Sequence, residues 1–470
     1  MCDLMNEEQS KFNLNDKTNL LESKHVYNVP PLIDVQEPNL YREQFPYDTI
    51  PASTFDFSTR VPYNMPKEIW LTDTTFRDGQ QSRTPYSTKQ MVHLYKLIHE
   101  LGGKKGKIKQ TEFFPYSETD RRAIDECMAL GYEFPEITTW IRATKQDFEL
   151  VKNLGVKETG LLVSCSDYHI FNKLNKTRKQ AMEQYLSVVS DALDIGIRPR
   201  CHFEDITRAD FYGFVVPFAN ALVKMSEQSG IPIKIRACDT MGYGLPYSGT
   251  SLPRNVARIV FALQRHAGVP SELLEWHGHN DFHKAVANAS IAWLHGASSV
   301  NCSLLGIGER TGNVPLEAMV VEYASLRGTL DGMSPRVITE IAEYYEKELG
   351  YEIPPMMPFV GKNFNVTRAG IHADGLLKDE EIYNIFDTDK ILNRPVAVAV
   401  SNTSGLSGVA HWINSYYKLQ GNKRIDKKDE LISKVRDWVN AEYDAGRQTS
   451  ISDEEMVSVI EEYAPGRFKT

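Results

Sequence analysis

The segment EWHGHNDFHKAVANAS, residues 275–290, places His277 and His279 two apart in a chain of 470 residues with only 12 histidines. On an extended strand, residues i and i+2 point to the same face, about 6.6 Å apart along the chain. Two imidazoles aimed at one point suit a single divalent ion, although a pair at this spacing also occurs on surfaces and in cores. A carboxylate able to reach the same axis strengthens the metal reading, and Asp78 in the run TDTTFRDGQQS is that candidate. One carboxylate and two imidazoles with coordination positions left open suit Mg²⁺, Mn²⁺, Co²⁺ or Zn²⁺. The open positions would take a substrate carrying adjacent oxygens.

Such a set converges only if the fold brings residues 78 and 277 together. From residue 67 onward, strand-like runs alternate with helical patterns. The runs are EIWLTDTTFR (68–77), KIKQTEFF (107–114), FPEITTWIRA (134–143), TGLLVSCSD (159–167), IRPRCHFED (197–205), IKIRACDTM (233–241), LLEWHGHND (273–281) and SSVNCSLLGIG (298–308). Between them lie helical segments such as STKQMVHLYKLIHELG, with Ser87 placed as N-cap and Gly102 as stop. Parallel strands need crossover connections, and eight such units over about 260 residues fit a (β/α)₈ TIM barrel. A doubly wound sheet is the alternative, but no G-x-G-x-x-G opens a helix after the first strand.

The expected organisation is an N-terminal extension (1–66), a TIM-barrel catalytic domain (67–334) and C-terminal helical subdomains (335–470). Residues 1–66 are rich in Asn, Glu, Pro and Tyr and show no sustained periodicity. Aromatics at Tyr41, Phe45, Tyr47, Phe55 and Phe57 favour an extended arm packed on the body or on a neighbouring subunit over a free tail. Net charge is −9, which argues against a nucleic-acid or anionic-membrane surface. Six scattered cysteines without CxxC spacing, a polar N-terminus and no long apolar run point to a cytoplasmic protein with no membrane span.

A barrel of this kind carries its chemistry at the C-terminal ends of its strands. There the sequence offers TTFRDGQQ, HFEDITR, CDTMGYG, HGHND and GIGERTGN, so polar and charged residues gather where reaction chemistry belongs.

These segments match a family. LTDTTFRDGQQS resembles the D-x-T-x-R-D-G-x-Q signature of the DRE-TIM metallolyase superfamily. SDYHIFNKLNKTR, FEDITRAD, CDTMGYG, HGHNDFHKAVANA, GIGERTGNVPLE and AGIHADG follow in family order over roughly residues 67–400. The resemblance implies that Asp78, His277 and His279 are metal ligands, with Asn313 completing or lining the site. It implies that Arg77 faces the carbonyl oxygen of a 2-oxo acid, a structural ion pair being its other reading. Thr240 would donate to the substrate carboxylate, or simply form a turn. Gln81 would also contact substrate. Glu112 matches a second-strand glutamate, but the alignment leaves it one position out of register. His372 is similar to a histidine that reaches the active site of the partner subunit, and with Glu204 it would form the proton-abstracting unit. The plainer alternative pairs Glu204 with Arg208 and leaves His372 capping a loop.

The strand 8 loop resembles the synthase branch of the superfamily, which condenses acetyl-CoA with a 2-oxo acid; no Cys-containing lid motif of the lyase branch is present. Arg142 in TTWIRAT is similar to an arginine that receives a distal carboxylate, which favours a dicarboxylic substrate. The segment VSNTSGLSG replaces the usual GKHSGR pattern, and no β-rich domain follows the helical region. Together with the N-terminal arm, these departures resemble the branch of the superfamily that joins acetyl-CoA to oxaloacetate, which implies citrate as product, with homocitrate, 2-isopropylmalate and citramalate synthesis as alternatives. Mn²⁺ or Co²⁺ is the preferred ion, Mg²⁺ or Zn²⁺ the next choice, and a homodimer with a shared active site is expected.

Overall fold

The computed structural model describes residues 13–15, 20–22, 29–43, 61–142 and 145–468. The chain divides into two compact units, Met1–Ser334 and Pro335–Thr470.

The first unit is a closed eight-stranded parallel barrel. Its strands are β1 (Trp70–Asp73), β2 (Ile108–Phe113), β3 (Glu136–Ile141), β4 (Glu158–Ser164), β5 (Arg198–Glu204), β6 (Lys234–Asp239), β7 (Leu274–Gly278) and β8 (Ser299–Cys302). Each pairs with its neighbour in sequence, and β8 closes on β1 with Ser299 opposite Trp70 and Cys302 opposite Asp73. The crossover helices are α1 (Thr88–Gly102), α2 (Glu118–Ala129), α3 (Lys145–Asn153), α4 (Arg178–Asp194), α5 (Val216–Ser229), α6 (Val256–Arg265), α7 (Ala285–His295) and α8 (Leu316–Arg327). Helix α1 starts at Ser87 in a reciprocal capping box with Gln90, and its cap is Gly103 at φ 66°, one residue past the expected stop. All eight strands are shorter than the runs that predict them, mostly at their C-terminal ends. There the chain leaves the ladder to build the mouth loops, so the same residue types continue without sheet pairing.

Barrel interiors of this class are commonly filled by branched aliphatics. This one is filled by charge. Arg200 and Arg236 are fully buried, and Glu112, Glu158 and Glu275 nearly so. Each is paired: Arg200 with Glu158 at 2.9 Å and Glu112 at 3.3 Å, Arg236 with Glu112 at 2.6 Å and also with Glu275. Isolated buried charges are very costly, so each arginine is tolerated here only because glutamates from other strands pair with it. Gly160 on β4 is required by this crowding, since a Cβ there would meet His202 Nε2 at 2.7 Å and Trp140 Cδ1 at 2.9 Å.

Part of the N-terminal extension lies against the barrel. Ile33 N donates to Gly213 O at 3.0 Å, the Tyr168 hydroxyl to Leu40 O at 2.6 Å, and Arg178 Nη1 to Ile33 O at 3.2 Å. Tyr41 falls in this described stretch, whereas Phe45, Tyr47, Phe55 and Phe57 lie outside the described residues. Further upstream, Asn13–Asn15 and Leu20–Glu22 form a short antiparallel pair.

The second unit is helical: α9 (Val337–Lys347), α10 (Gly370–Lys378), α11 (Thr388–Leu392), α12 (Gly405–Tyr416), α13 (Glu430–Asp444) and α14 (Asp453–Tyr463). Val409, Ile413, Ile432, Val435, Met456 and Ile460 form a core shared by α12, α13 and α14. A two-residue parallel pair, Val366–Thr367 with Ala397–Val398, precedes α10 and α12.

Candidate active site

After Asp73 the chain turns sharply. The amides of Arg77, Asp78 and Gly79 all donate to Thr74 O, which brings Arg77 and Asp78 over the end of the barrel. On the opposite wall, His277 is the penultimate residue of β7. His279 lies just beyond the strand rather than on it, a small correction to the sequence reading. It is held there by its amide bond to Asp239 O and by an isolated antiparallel bridge to Asn313.

The three candidate ligands meet. His277 Nε2 is 3.4 Å from His279 Nε2 and 3.4 Å from Asp78 Oδ2, and His279 Nε2 is 3.8 Å from the same carboxylate oxygen. All three residues are buried, and among the described residues theirs is the one such cluster of His, Cys, Asp or Glu. Edges of this length are what N and O ligands ~2.0–2.2 Å from a shared centre would span. Asn313 donates from Nδ2 to Asp78 Oδ2 at 2.9 Å, while its buried Oδ1 and the Nδ1 of His279 have no hydrogen-bond partner.

Protonation states suit the same role. Burial pushes His277 down to about 3, against the pull of Asp78, and burial likewise lowers His279. Both imidazoles are therefore neutral at physiological pH, with a lone pair available. Burial opposes charge on Asp78, but Arg77, with the imidazoles and the Asn313 amide, outweighs it and holds the carboxyl well below its usual range. The donor set thus fits a divalent ion.

Arg77 makes ion pairs, as its structural reading expects. Its Nη1 is 3.7 Å from Asp78, its Nε 3.4 Å from Glu112, and its guanidinium carbon 5.8 Å from the Trp140 ring centre. Of the three arginines around Glu112 it alone keeps some exposure, 11% against 0% for Arg200 and Arg236. Glu112 sits on β2, is buried, and accepts from Arg236.

Glu204, the last residue of β5, accepts from Ser164 Oγ, bonds His169 Nδ1 at 2.9 Å and pairs with Lys173 Nζ at 3.3 Å. Burial opposes its ionisation, but His169, Ser164 and Lys173 bring it down to about 2. Arg208 pairs with Asp205 at 2.9 Å rather than with Glu204. His169 is a site residue that the sequence reading quoted within SDYHIFNKLNKTR but did not single out. In the same motif, Arg178 is clamped between Asp167 and Asp210.

The remaining expected contacts are placed as follows. Thr240 Oγ1 accepts from the Asp205 amide at 2.8 Å, so its hydroxyl proton stays available to donate. Gln81 is exposed in the short turn Gly79–Ser82. Its neighbour Gln80 is the one bound into the loop, donating to Phe76 O and Asp120. Arg142 is mostly exposed, 3.3 Å from Asp147 and stacked over Tyr116 at 4.8 Å. His372 belongs to the second unit. It lies exposed within α10, with its Nδ1 3.4 Å from Thr367 Oγ1 and its ring packed on Tyr383 at 4.5 Å.

A closed parallel (β/α)₈ barrel with one carboxylate and two imidazoles converging at its C-terminal mouth defines a TIM-barrel protein with a candidate metal centre. The chain belongs to the HMGL-like family of DRE-TIM barrels, whose profile matches residues 68–343. It is 56% identical to the citrate (Re)-synthase of Clostridium kluyveri over 434 residues, covering 92% of this chain and 96% of that one. It is equally similar, 56% over 438 residues, to the citrate (Re)-synthase of Syntrophus aciditrophicus, covering 93% of this chain and 69% of that one. A 2-phosphinomethylmalate synthase of Streptomyces hygroscopicus is 39% identical over 433 residues, covering 91% and 96%.

Proposed function

We propose that the protein is an acyltransferase that condenses acetyl-CoA with oxaloacetate to give citrate, releasing coenzyme A after hydrolysis of the thioester. The observation that carries this reading is the convergence of Asp78, His277 and His279 beside Arg77. It occurs in a chain 56% identical over 92% of its length to a citrate (Re)-synthase.

Asp78, His277 and His279 would hold the ion, with Asn313 fixing the Asp78 carboxylate. A bound divalent ion supplies Lewis-acid polarisation of the ketone, and Mn²⁺ or Co²⁺ is preferred over Mg²⁺ or Zn²⁺. Arg77, steered by Glu112, places its guanidinium where negative charge grows on the ketone oxygen. Preorganised charge of this kind is commonly the largest part of a barrier reduction. Thr240 donates a hydrogen bond to the oxo acid's carboxylate, Arg142 receives its distal carboxylate, and Gln81 provides a further substrate contact.

The acetyl methyl must lose a proton before it attacks the ketone carbon. Glu204 and His372 of the partner subunit form the abstracting unit in a homodimer, the proton passing to the imidazole and the new carbon–carbon bond taking the electron pair. Water then cleaves the thioester. Five free, buried cysteines and the absence, among the described residues, of any helix long and apolar enough to cross a membrane support a cytoplasmic setting.

Steady-state assays with a panel of 2-oxo acids test the reading. Oxaloacetate should give the highest kcat/KM. A preference for 2-oxoisovalerate or 2-oxoglutarate would overturn it in favour of 2-isopropylmalate or homocitrate synthesis.

A further inference from the structure

Beneath the mouth, one run of buried side chains connects His277 to Arg77, and the chemistry above makes no use of most of it. His277 Nδ1 bonds Asn301 Oδ1 at 2.8 Å, and Asn301 Nδ2 donates to Thr72 Oγ1 at 3.0 Å. The Thr72 hydroxyl donates to Glu275 Oε1, and the other Glu275 oxygen takes Arg236 Nε. Arg236 Nη1 continues to Glu112 at 2.6 Å, and Glu112 faces Arg77. Every residue from Thr72 to Arg236 along this path is buried to within a few per cent.

The direction of the hydrogen bonds is forced from one end. Beside the Arg236 guanidinium, Glu275 is a carboxylate and can only accept. Thr72 must therefore spend its single proton on Glu275 and accept from its other neighbour. Asn301 satisfies it with its amide NH₂, which leaves the Asn301 carbonyl turned to His277. His277 must then carry its proton on Nδ1, leaving the lone pair on Nε2, the atom that faces Asp78 and His279.

We infer that Glu275, acting through Thr72 and Asn301, fixes the tautomer of His277 and so sets the affinity of the site for a divalent cation. Glu275, Thr72 and Asn301 are positioning residues. The inference rests on reading Asp78, His277 and His279 as metal ligands. It also explains why a charged residue lies two positions before His277 on an inward-facing strand, where an aliphatic would fill the same space at lower cost.

The test is Mn²⁺ binding to the metal-stripped full-length protein by titration calorimetry, with Thr72→Val, Thr72→Ser and Glu275→Gln variants. Thr72→Val removes the hydroxyl without changing shape and leaves the Arg236 pairs intact, so it tests the relay even if Glu275→Gln fails to fold. Residues that orient a ligand from behind typically contribute 10–100-fold in affinity. Thr72→Val should therefore weaken Mn²⁺ at least ~10-fold, and Thr72→Ser should restore binding to near the wild-type value. In ¹⁵N-histidine-labelled metal-free protein, the His277 resonances should report the Nδ1–H tautomer in wild type and a mixture in Thr72→Val. Wild-type binding of Mn²⁺ with no change in Thr72→Val, or an unchanged tautomer, would overturn the relay alone. Failure of the wild type to bind any stoichiometric Mn²⁺ would overturn the metal-site reading beneath it.

Discussion

The Nε of Arg77 stands 3.4 Å from the carboxylate of Glu112, which is bound at the same time by the fully buried Arg236 at 2.6 Å. Glu112 thus anchors the one of its three arginines that keeps some exposure, through a carboxylate that the buried Arg236 also holds. A lysine at position 77 keeps the charge but loses the planar fork that can face Glu112 and substrate together. Arg77→Lys should lower kcat by roughly 10²–10³ with a smaller change in KM for oxaloacetate, read from steady-state kinetics. A raised KM with unchanged kcat would point to a role in binding alone instead.

The metal reading makes a stoichiometric demand. Purified protein should contain one divalent ion per chain, and His279→Ala should lose it. Activity of that variant should fall by more than the ~10–100-fold seen when only a supporting group is removed. Elemental analysis and assay before and after chelation check this, and full turnover after exhaustive metal removal would contradict it.

Glu204 and His372 should act on proton abstraction rather than on oxo-acid binding. Replacing either, as Glu204→Gln or His372→Ala, should reduce turnover by on the order of 10²–10⁴ while the dissociation constant for oxaloacetate stays near wild type. Deuterium exchange into the acetyl methyl should slow in parallel. Unchanged exchange in His372→Ala would move the role to another group, and His169 on Glu204 is the nearest imidazole to consider.

A stability prediction follows from Glu317 at the start of α8. Burial drives its carboxyl up to about 7, although it accepts from the amide of Leu305, a residue at φ 55°. The folded protein therefore holds this proton more tightly than the unfolded chain. Its stabilising contribution is complete below the unfolded value of about 4.5 and is lost as pH rises through about 7. A shift of this size corresponds to on the order of 3 kcal/mol. Glu317→Gln keeps an acceptor for Leu305 without the charge, so it should raise Tm at pH 8 and change it little at pH 5. An equal shift at both would show that ionisation is not the cause.

Much of the architecture was legible in the chain. Eight apolar-and-polar runs separated by amphipathic helices require a parallel sheet, and the barrel closes in that order. The convergence of Asp78, His277 and His279 was legible because imidazoles and carboxylates are chemically distinctive and fall near strand ends, where the fold class puts chemistry. Three features were not. His169 looks like one more helical residue until β4 and β5 set Glu204 beside it. Glu112 could not be placed in register from its own run, because only the arginines of β5 and β6 show which way it faces. Strand ends were overestimated because loop residues at the mouth share the composition of the strands they continue.

The sequence by itself determined element order, the Ser87 cap of α1 and the types of residue at each strand end, because these depend on local propensity, capping and period. Only the tertiary structure decided which charges share the barrel interior, and that a glutamate, a threonine and an asparagine from three strands line up behind His277. Those residues are separated by up to 229 positions, and hydrogen-bond direction is set by neighbours in space. No local pattern in the chain encodes that direction; closure of the sheet does.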